Sequence, residues 1–491
     1  MPRLRLLRLN LQTNFHPRMN QSPAVRPGFS FSAMTESYSS PVSSTLSASA
    51  RSIVQRLQDA GHTALFAGGC VRDRLMSVEP HDYDIATDAR PEVVQKLFPR
   101  TVAVGAHFGV IVVLWNGFEF QVATFRNDGQ YIDGRHPESV SFASPEEDAA
   151  RRDFTVNGLF YDPIADRLID YVGGQRDLAT KLLRAIGNPN DRFREDRLRM
   201  MRAARFATTL GFDLDPQTWR AVCENAPHIH EVSAKRIREE LMKILLSPRR
   251  VRGFDLLDEG GLLREILPEI ETLKGCAQPP QFHPEGDVFV HTRLMLSLPP
   301  AEVSGPLVLA VLFHDLGKPP TFAVDLDGRI RFNGHEKISA EMTEVIMTRL
   351  RFSRAEIDAT VAAVANHMAF KDVQQMRVAK LKRFLARPHI DDELELHRVD
   401  CTSSHGLLDN YEFLKAKREE FANEPLIPPP LITGRDLIAL GLRPGPRFSE
   451  ILESVESRQL EKTLVSREEA LAFVQAEFLS TRDTKGHEKA D

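Results

Sequence analysis

Two aspartates separated by one residue, Asp82 and Asp84, are the clearest candidates for chemistry in the sequence. In a strand, residues i and i+2 point to the same face, so the two carboxylates would lie side by side. Like charges this close repel each other, and a divalent cation between them removes the repulsion. Carboxylate oxygens suit Mg²⁺, and a pair of Mg²⁺ ions can activate an attacking oxygen while shielding a triphosphate. Two aspartates in a solvated turn give the same pattern, so the neighbouring residues must decide between the two interpretations.

A glycine pair, Gly68 and Gly69, precedes these aspartates, where a predicted strand ends and a predicted helix carrying Arg72 and Asp73 begins. Glycines allow a phosphate chain to approach the main chain closely, and the first N–H groups of a helix attract anionic oxygen. Many strand–turn–helix units carry two glycines for packing alone. The pair therefore supports a phosphate site only in combination with other motifs.

The second half of the chain carries a series of histidines and aspartates with metal-ligating side chains. They are His291, His314, Asp315, His335, His367 and Asp400. A single histidine on an apolar helix is usually a core residue. The adjacent His314 and Asp315 differ, because they end an apolar run of seven residues and a buried carboxylate is costly without a cation. The series therefore indicates a second candidate site.

The elements that must position these residues change in character along the chain. Strands are predicted at residues 63–67, 82–86, 110–115 and 119–125, and helices at 53–60, 71–76 and 91–97. Asn116 and Gly117 separate the last two strands and are the strongest short signal for a hairpin. Beyond about residue 191 only helices at 3.6-residue spacing are predicted. The fold class is therefore α+β, a small α/β head followed by an all-α body.

Composition excludes several classes of protein. The 491 residues suggest more than one domain, and 42% hydrophobic with 27% charged residues is typical of globular chains. The net charge of −5 commits the chain neither to nucleic acid nor to a membrane, and the seven-residue apolar run is far short of the roughly 20 that a bilayer needs. Four dispersed cysteines without a CxxC motif exclude a disulfide framework or zinc ribbon and indicate a reducing compartment, the cytoplasm.

Two stretches depart from the average composition. Residues 181–252 hold 16 Lys and Arg against 9 Asp and Glu, which favours contact with a phosphate backbone over a merely solvated helix face. Residues 1–48 are rich in Arg and Ser, with five arginines and one acidic residue, and are predicted to be a disordered extension. A transit peptide has a similar composition. We favour instead a start of the protein at Met19 or Met34.

Several motifs in order give the glycine pair and the aspartates their meaning. They are Gly-Gly-Cys-Val-Arg-Asp at 68–73, Asp-Tyr-Asp-Ile-Ala-Thr at 82–87, Thr-Phe-Arg at 124–126 followed by Tyr131 and Gly-Arg-His-Pro at 134–137, Arg-Arg-Asp-Phe-Thr-Val-Asn-Gly-Leu at 151–159, and Glu-Asp-Arg-Leu-Arg at 195–199. Over residues 50 to 475 the chain resembles the class II nucleotidyltransferases, which comprise tRNA CCA-adding enzymes and bacterial poly(A) polymerases. The resemblance implies a palm-like nucleotidyltransferase head.

The resemblance also implies roles for individual residues in the head. Asp82 and Asp84 would hold Mg²⁺ and catalyse the transfer. The phosphates, ribose and base of the nucleotide would be bound by Gly68, Gly69, Arg72, Arg126, Arg152, Asp153, Asn157, Asp196, Arg199, Arg202 and Arg205. Of these, Asp196 offers acceptors and Arg199 donors, which complement the amino group and adjacent ring acceptor on the pairing edge of cytosine or adenine. One departure is Gln121, which stands where the family usually has a third carboxylate; Glu119 lies two residues before it.

The histidine series resembles the HD-domain metal phosphohydrolases. The resemblance implies His291, His314, Asp315 and Asp400 as ligands of one metal ion, with His335 and His367 completing a second position. Mixed histidine and aspartate ligands suit Mn²⁺, Fe or Ni²⁺. Such a metal lowers the pKa of bound water and polarises a phosphoryl oxygen.

The two resemblances imply a template-independent nucleotidyltransferase that adds CMP and AMP from CTP and ATP to the 3′ end of tRNA, with an additional HD phosphohydrolase activity and no membrane partner. An A-adding enzyme or poly(A) polymerase is one alternative; an HD phosphohydrolase whose head merely binds nucleotide is another. The predicted segments are the extension 1–48, the head 49–175, a nucleotide-selecting and tRNA-binding helical body 176–275, the HD domain 276–405 and a helical tail 406–491. The sequence does not indicate an oligomeric state.

Overall fold

The computed structural model describes residues 41–103, 109–128 and 140–479. Tyr131 and residues 134–137 of the motif series lie outside this part of the chain, as do residues 1–40 of the predicted extension. The described chain has a mixed head and a largely helical remainder, so the predicted α+β class is confirmed.

The head is built on a mixed sheet of seven strands. Its strands are β1 (Ala64–Ala67), β2 (Asp84–Thr87), β3 (Thr101–Val102), β4 (Val110–Trp115), β5 (Phe118–Thr124), β8 (Leu159–Asp162) and β9 (Arg167–Asp170), and β6 (Arg126–Asp128) pairs separately with β7 (Val140–Phe142). The order across the sheet is β3-β4-β5-β2-β1-β8-β9, in which β2 and β5 are parallel and the other neighbours antiparallel. The helices of the head are α1 (Pro41–Asp59), α2 (Gly69–Leu75), α3 (Pro91–Leu97), α4 (Pro145–Ala150) and α5 (Gly174–Ala179).

Local sequence explains the centre of this sheet. All four residues of β1 are buried, as expected for a strand covered on both faces. The hairpin of β4 and β5 turns at Asn116 and Gly117, whose φ angles of 51° and 85° are those that a two-residue hairpin needs. Glycine adopts such a φ without steric cost, and asparagine tolerates it. The predicted hairpin is therefore present with its register closed by Trp115 opposite Phe118.

The first helix begins earlier than the periodicity of the sequence predicted. Periodicity predicted a helix from residue 53, whereas α1 begins at Pro41 and so includes residues assigned to the extension. Serine and threonine are weak helix formers, which is why the pattern hid the first turns. From Leu46 onward this helix contributes to a core cluster, with Ala50, Ile53 and Val54 fully buried.

The remainder of the chain is helical, with two short strand pairings that the sequence did not predict. Its elements are β10 (Leu182–Leu183), α6 (Pro189–Glu195), α7 (Leu198–Leu210), β11 (Asp213–Leu214), α8 (Pro216–Asn225), α9 (Ala234–Leu245), α10 (Arg250–Glu259), α11 (Leu262–Ile266), α12 (Pro268–Glu271), α13 (Val288–Met295), α14 (Gly305–Phe313), α15 (Lys318–Thr321), β12 (Ala323–Val324), β13 (Ile330–Arg331), α16 (His335–Arg349), α17 (Arg354–Asn366), α18 (Val378–Leu385), α19 (Ile390–Ser403), α20 (Asp409–Glu420), α21 (Gly434–Ala439), α22 (Pro446–Leu460) and α23 (Arg467–Val474). The pairings β10–β11 and β12–β13 are too short for an alternating pattern to reveal them.

The helical body and the histidine-bearing segment share one hydrophobic core. A continuous cluster of buried residues runs from Phe154 to Val399 and includes the apolar face of α14. Smaller clusters lie toward the tail, one from Phe370 to Leu414 and one from Ile432 to Val474. The two segments therefore stabilise each other through packing. Among the described helices, none is both long enough and apolar enough to cross a bilayer.

Candidate active site and candidate metal centre

The glycine turn and the carboxylate pair meet at one end of the central strands. Gly68 follows β1 with φ of 72°, a conformation that glycine adopts without strain, and Nη1 of Arg152 lies 2.9 Å from where a Cβ would stand. Asp84 is the first residue of β2 and pairs with Ala67, the residue before Gly68. Asp82 precedes the strand, which corrects the prediction that both aspartates lie in it. The turn and the carboxylates nevertheless form one site.

Asp82 and Asp84 are both exposed to solvent. The pKa of Asp84 is raised, first because surrounding protein atoms desolvate its carboxylate and second because Asp82 carries a like charge. The charge of Arg152 opposes this shift. Gln121 stands beside Asp84 in the parallel pairing, one residue before the paired Ile85 and Val122, and its side chain is exposed on the same face. In the described part of the chain no His, Cys, Asp or Glu joins the aspartate pair as a third clustered ligand.

Behind the turn, Arg152 is held by a carboxylate that the motifs did not identify. Nη2 of Arg152 donates to Oδ2 of Asp148 at 3.0 Å, and Nη2 of Arg151 donates to Oδ1 of the same residue at 2.7 Å. Burial raises the pKa of Asp148 and the two arginines lower it, with a net lowering. The main-chain N–H of Arg126 lies 3.4 Å from Oδ1. Helical spacing of three and four residues between acid and arginines was the available signal.

A chain of hydrogen bonds joins the head to helix α7. Nη1 of Arg72 donates to Oδ1 of Asn157 at 2.7 Å, and Nδ2 of Asn157 donates to Oδ1 of Asp153 at 3.1 Å. Oδ2 of Asp153 accepts from Nη2 of Arg202 at 2.5 Å. Burial would raise the pKa of Asp153, but the charge of Arg202 and the hydrogen bonds hold this pKa at about 2. Four of the predicted nucleotide-binding residues therefore form one network.

Replacing Asp153 by Asn is expected to lower the free energy of unfolding by about 2 kcal/mol at pH 7, because Arg202, whose side chain is 32% exposed, loses its counter-charge. A carboxylate with a lowered pKa stabilises the fold above its unfolded pKa, and that contribution disappears as the pH falls through the folded pKa. The difference from wild type should therefore shrink between about pH 4 and pH 2. Urea unfolding at several pH values measures it. The control is Asp191→Asn, which breaks an exposed pair with Arg194 and should lower the free energy of unfolding by less than about 1 kcal/mol. A difference between Asp153→Asn and wild type that does not change with pH would contradict the expectation.

Three arginines surround the buried ring of Phe206. Their guanidinium carbons lie 5.3 Å (Arg72), 5.2 Å (Arg202) and 3.7 Å (Arg205) from the ring centroid, and each has its own carboxylate, namely Asp73, Asp153 and Glu240, at 2.5 to 2.6 Å. We call this arrangement the Phe206 cluster. Aromatic faces attract cations, most strongly where water is excluded. The sequence identified the three arginines but neither the ring nor Glu240.

The predicted base-reading pair is already engaged within the protein. Oδ2 of Asp196 accepts from Nη2 of Arg236 on α9 at 2.7 Å, a partner that the motifs missed. Nη1 of Arg199 donates to Oε2 of Glu195 at 2.6 Å, and Nη2 donates to the carbonyl oxygen of Arg151 at 3.0 Å. Arg199 is buried. Both side chains are thus held by protein partners, and that of Arg199 lies beside Arg151.

All six residues of the histidine series converge in the segment 276–405. His291 lies on α13, His314 and Asp315 follow α14, His335 begins α16, His367 follows α17 and Asp400 lies on α19. Three imidazoles face Asp315: Nε2 of His291 and of His314 lie 3.9 and 3.0 Å from its Oδ2, and Nε2 of His335 lies 3.5 Å from its Oδ1. Nε2 of His291 also lies 3.2 Å from Oδ1 of Asp400. The Nε2 atoms of His335 and His367 are 3.1 Å apart. Asp315 is the centre of the group.

The outward nitrogen of each imidazole is fixed by a hydrogen bond. Nδ1 of His314, His335 and His367 lies 3.0, 2.8 and 2.6 Å from the carbonyl oxygen three residues earlier. Nδ1 of His291 lies 2.7 Å from Oε1 of Glu285. Because Nδ1 carries the proton in each of these bonds, the Nε2 of a neutral imidazole keeps its lone pair and faces the centre. Metal-ligating histidines have this arrangement.

Unsatisfied polar atoms show what the centre lacks. Nε2 of His291, Nε2 of His314 and Oδ2 of Asp315 are buried and make no well-directed hydrogen bond, although Oδ2 forms an ion pair with Lys318. Two bare Nε2 acceptors, those of His335 and His367, face each other at 3.1 Å, an unfavourable contact without a cation or proton between them. Burial and the neighbouring imidazoles lower the pKa of His367 to about 3. Nitrogen and carboxylate donors converging in this way fit a divalent metal ion, so the donor set satisfies the chemistry that the histidine series predicted.

One buried cation stands beside this centre. Nζ of Lys318 lies 2.7 Å from Oδ2 of Asp315 and donates to Oε1 of Gln278 at 2.6 Å. Burial would raise the pKa of Asp315, but its neighbours His314 and Lys318 hold this pKa well below its usual range. The sequence motif contained Lys318 without indicating that it would neutralise the central carboxylate.

Comparisons with known proteins match three successive segments of the chain to family profiles. Residues 64–184 match the profile of the poly(A) polymerase head domain, residues 211–274 that of the probable RNA- and SrmB-binding site of polymerase A, and residues 294–400 the HD domain. An A-adding tRNA nucleotidyltransferase of Deinococcus radiodurans is 35% identical over 436 residues, 84% of this chain and 95% of that protein. A CCA-adding enzyme of Geobacillus stearothermophilus is 45% identical over 211 residues, 43% of this chain and about half of that enzyme (52%). The crystal structure of a Bacillus stearothermophilus CCA-adding enzyme in complex with CTP superimposes with a TM-score of 0.67 and 26% identity, covering 88% of this chain and 98% of that one.

The glycine turn, the carboxylates at the strand ends and the arginine network define a nucleotidyltransferase head, here joined to an HD domain. The chain belongs to the family of tRNA nucleotidyltransferases that includes the A-adding and CCA-adding enzymes.

Proposed function

We propose that this enzyme adds CMP and AMP, taken from CTP and ATP, to the 3′ end of tRNA. The observation that carries the proposal is the position of Asp84 beside Ala67 and the Gly68 turn, with Arg152 directly behind. In this arrangement Asp82 and Asp84 would hold Mg²⁺, which would supply charge neutralisation for the triphosphate and a lower pKa for the terminal hydroxyl. Attack of that hydroxyl oxygen on the α-phosphorus displaces pyrophosphate. Gln121 stands beside Asp84 as a neutral oxygen donor.

The nucleotide would lie between the turn and helix α7. Gly68, Gly69 and Arg72 contact phosphates, and Arg126, Arg152, Asp153 and Asn157 contact the triphosphate and ribose. The hydrogen-bond network that joins several of these residues supports this assignment, because a bound nucleotide would meet groups held in one orientation. The basic stretch at 181–252 supplies cations for the tRNA backbone.

Selection of the base is assigned to Asp196 and Arg199. Both side chains are fixed by other residues, Asp196 by Arg236 and Arg199 by Glu195, which suits groups that must present one hydrogen-bonding pattern. The donors on Arg199 and acceptors on Asp196 match cytosine and adenine and leave uracil and guanine with unpaired groups.

Asp196→Ala or Arg199→Ala is therefore expected to reduce discrimination of CTP and ATP against UTP and GTP by about 10-fold or more, while slowing addition of the correct nucleotide less. The physical reason is that these groups touch the base rather than the reacting phosphate. Rates of single additions with each of the four nucleotides measure the ratio. Arg194→Ala, which removes an exposed arginine on the same segment, is the matched control; unchanged ratios in both site variants would remove the pair from base selection.

A-only addition is the second candidate. It is favoured by the relative from Deinococcus radiodurans, an A-adding enzyme that matches along 95% of its length, whereas the CCA-adding enzyme of Geobacillus stearothermophilus matches over 52% of its own. The decisive experiment uses three tRNA substrates, which lack the whole CCA end, its last two nucleotides or its last nucleotide. The full chain is incubated with each tRNA and each labelled nucleotide, and the products are sequenced. Addition of both cytidines supports the first proposal; addition of A alone to tRNA that already ends in CC supports the second. A head that binds nucleotide without transfer, the remaining alternative, predicts no product.

For the segment 276–405 we propose a metal-dependent phosphohydrolase centre. His291, His314, Asp315 and Asp400 would hold one divalent ion, and His335 with His367 would complete a second position, with Mn²⁺, Ni²⁺ or Fe as candidates. The metal would supply activated water and polarise a phosphoryl oxygen. The protein's own contribution is the fixed imidazole orientation and the buried ammonium of Lys318. We also propose a cytoplasmic location, supported by four cysteines that are all free thiols.

A further inference from the structure

We propose that Glu285 is a positioning residue of the metal centre, whose carboxylate holds the His291 ring in the orientation and tautomer that present Nε2 to the metal. The proposal rests on the metal-dependent centre proposed above and adds to it a residue outside the six of the histidine series. Glu285 lies in the segment that precedes α13, the helix carrying His291.

His291 is the one histidine of the four whose outward nitrogen is not fixed by the main chain. Nδ1 of His314, His335 and His367 each faces the carbonyl oxygen three residues earlier. The Nδ1 of His291 instead faces Oε1 of Glu285 at 2.7 Å. A side chain can rotate away, whereas a carbonyl of a helix end cannot. The orientation of His291 therefore depends on Glu285.

The carboxylate of Glu285 is itself firmly held. Its side chain is only 9% exposed, and the same Oε1 lies 2.9 Å from Nδ1 of His283. The rings of His283 and His291 meet edge to face at 4.8 Å. Oε2 of Glu285 is buried without a hydrogen-bond partner. Burying a carboxylate with one oxygen unpaired is costly, so its position beside the imidazole of His291 indicates a function for its charge.

That function follows from the chemistry of the imidazole. A carboxylate that accepts the Nδ1 proton fixes the Nε2 lone pair toward the metal and makes it more basic. Removal of such a partner generally weakens metal affinity by about 10- to 100-fold. A neutral amide still accepts the hydrogen bond but adds no negative charge, so it should preserve orientation and lose only part of the effect.

The test is a titration of the metal-free full chain with Ni²⁺, followed by isothermal calorimetry. The part of the isotherm that His314→Ala abolishes is assigned to the centre, which separates it from the carboxylates of the head. We expect Glu285→Ala to weaken this part by about 10- to 100-fold at unchanged stoichiometry, and Glu285→Gln to weaken it less. Nucleotide addition by the same preparations should be unchanged, which shows that the fold is intact. Where Glu285→Ala fails to fold, Glu285→Gln, which keeps the side-chain volume, decides.

A matched control distinguishes positioning from a general effect of charge. Oε2 of Glu336 lies 3.7 Å from Nδ1 of His335, but that nitrogen already donates to the carbonyl of Phe332 at 2.8 Å. Glu336→Ala should therefore leave Ni²⁺ affinity within about twofold of wild type. Equal losses in Glu285→Ala and Glu336→Ala, or wild-type affinity in both Glu285 variants, would overturn the role of Glu285 alone. Absence of any Ni²⁺ or Mn²⁺ binding that depends on His314 would overturn the metal centre and this proposal with it.

Discussion

The Asp84→Ala variant is expected to transfer nucleotides at least about 10³-fold more slowly than wild type. A metal held by this carboxylate would supply several kcal/mol of charge stabilisation in the transition state, and about 1.4 kcal/mol corresponds to a factor of ten in rate. Asp84 is the residue that the sheet places directly beside the glycine turn, so no other described carboxylate can take its position without movement of a strand. Single-turnover addition to tRNA with a radiolabelled nucleotide measures the rate.

The fold should not suffer from this substitution. The raised pKa of Asp84 means that its charged form is disfavoured in the folded protein, so removal of the charge relieves repulsion with Asp82. A thermal melt without added metal should therefore give a Tm equal to or above that of wild type. Glu79→Ala removes an exposed carboxylate shortly before the pair and should retain full activity. Retention of more than a few per cent of activity by Asp84→Ala would contradict the two-metal assignment.

Substitution of His314 and Asp315 together by Ala is expected to abolish Ni²⁺- or Mn²⁺-dependent hydrolysis of phosphate esters and to spare nucleotide addition. The two residues supply ligands at the centre of the histidine series, whereas transfer needs only the carboxylate-held Mg²⁺ of the head. Some stability should be lost, because Lys318 would keep its buried charge without the Asp315 carboxylate. Parallel assays of hydrolysis and addition on one preparation, with a thermal melt, measure all three effects.

A purely structural metal makes a different prediction. In that case the double variant unfolds and loses both activities together, and wild type hydrolyses no phosphate ester with any divalent metal. His367→Gln offers a milder test, since it removes one ligand of the second position and leaves the Asp315–Lys318 pair intact. Loss of hydrolysis with unchanged Tm and unchanged addition in this variant would identify a catalytic centre.

Local signals predicted the parts of the head that depend on near neighbours. The hairpin at Asn116 and Gly117 formed as expected, because its turn needs φ angles that few residue pairs adopt. The six candidate metal ligands also lie close together, as a buried carboxylate beside a histidine at the end of an apolar helix indicated, because such a carboxylate is costly unless a cation neutralises it. In both cases residue type and spacing carry the information.

The partners of the site residues could not be predicted in the same way. Arg236 holds Asp196 from 40 residues away, and Glu240 holds Arg205 from 35 residues away, on a helix whose place depends on tertiary packing. Both acids and arginines are abundant in this region, so sequence spacing alone does not select the pairs. The start of α1 was missed for another reason. Its first turns are rich in serine, so the helix there depends on the packing of the residues that follow and not on local helix propensity.

Because every arginine of the Phe206 cluster already has a carboxylate, an incoming polyphosphate meets cations that are charge-balanced before it arrives. Binding of a polyphosphate there would replace a carboxylate partner with a phosphate and would not neutralise a free cation. Asp73 is 23% exposed and can pass from Arg72 into water at little cost, whereas Asp153 and Glu240, at 8% and 5%, would be left as buried unpaired charges. Arg72 would therefore give up its carboxylate at the lowest cost, whereas Arg202 and Arg205 would keep theirs.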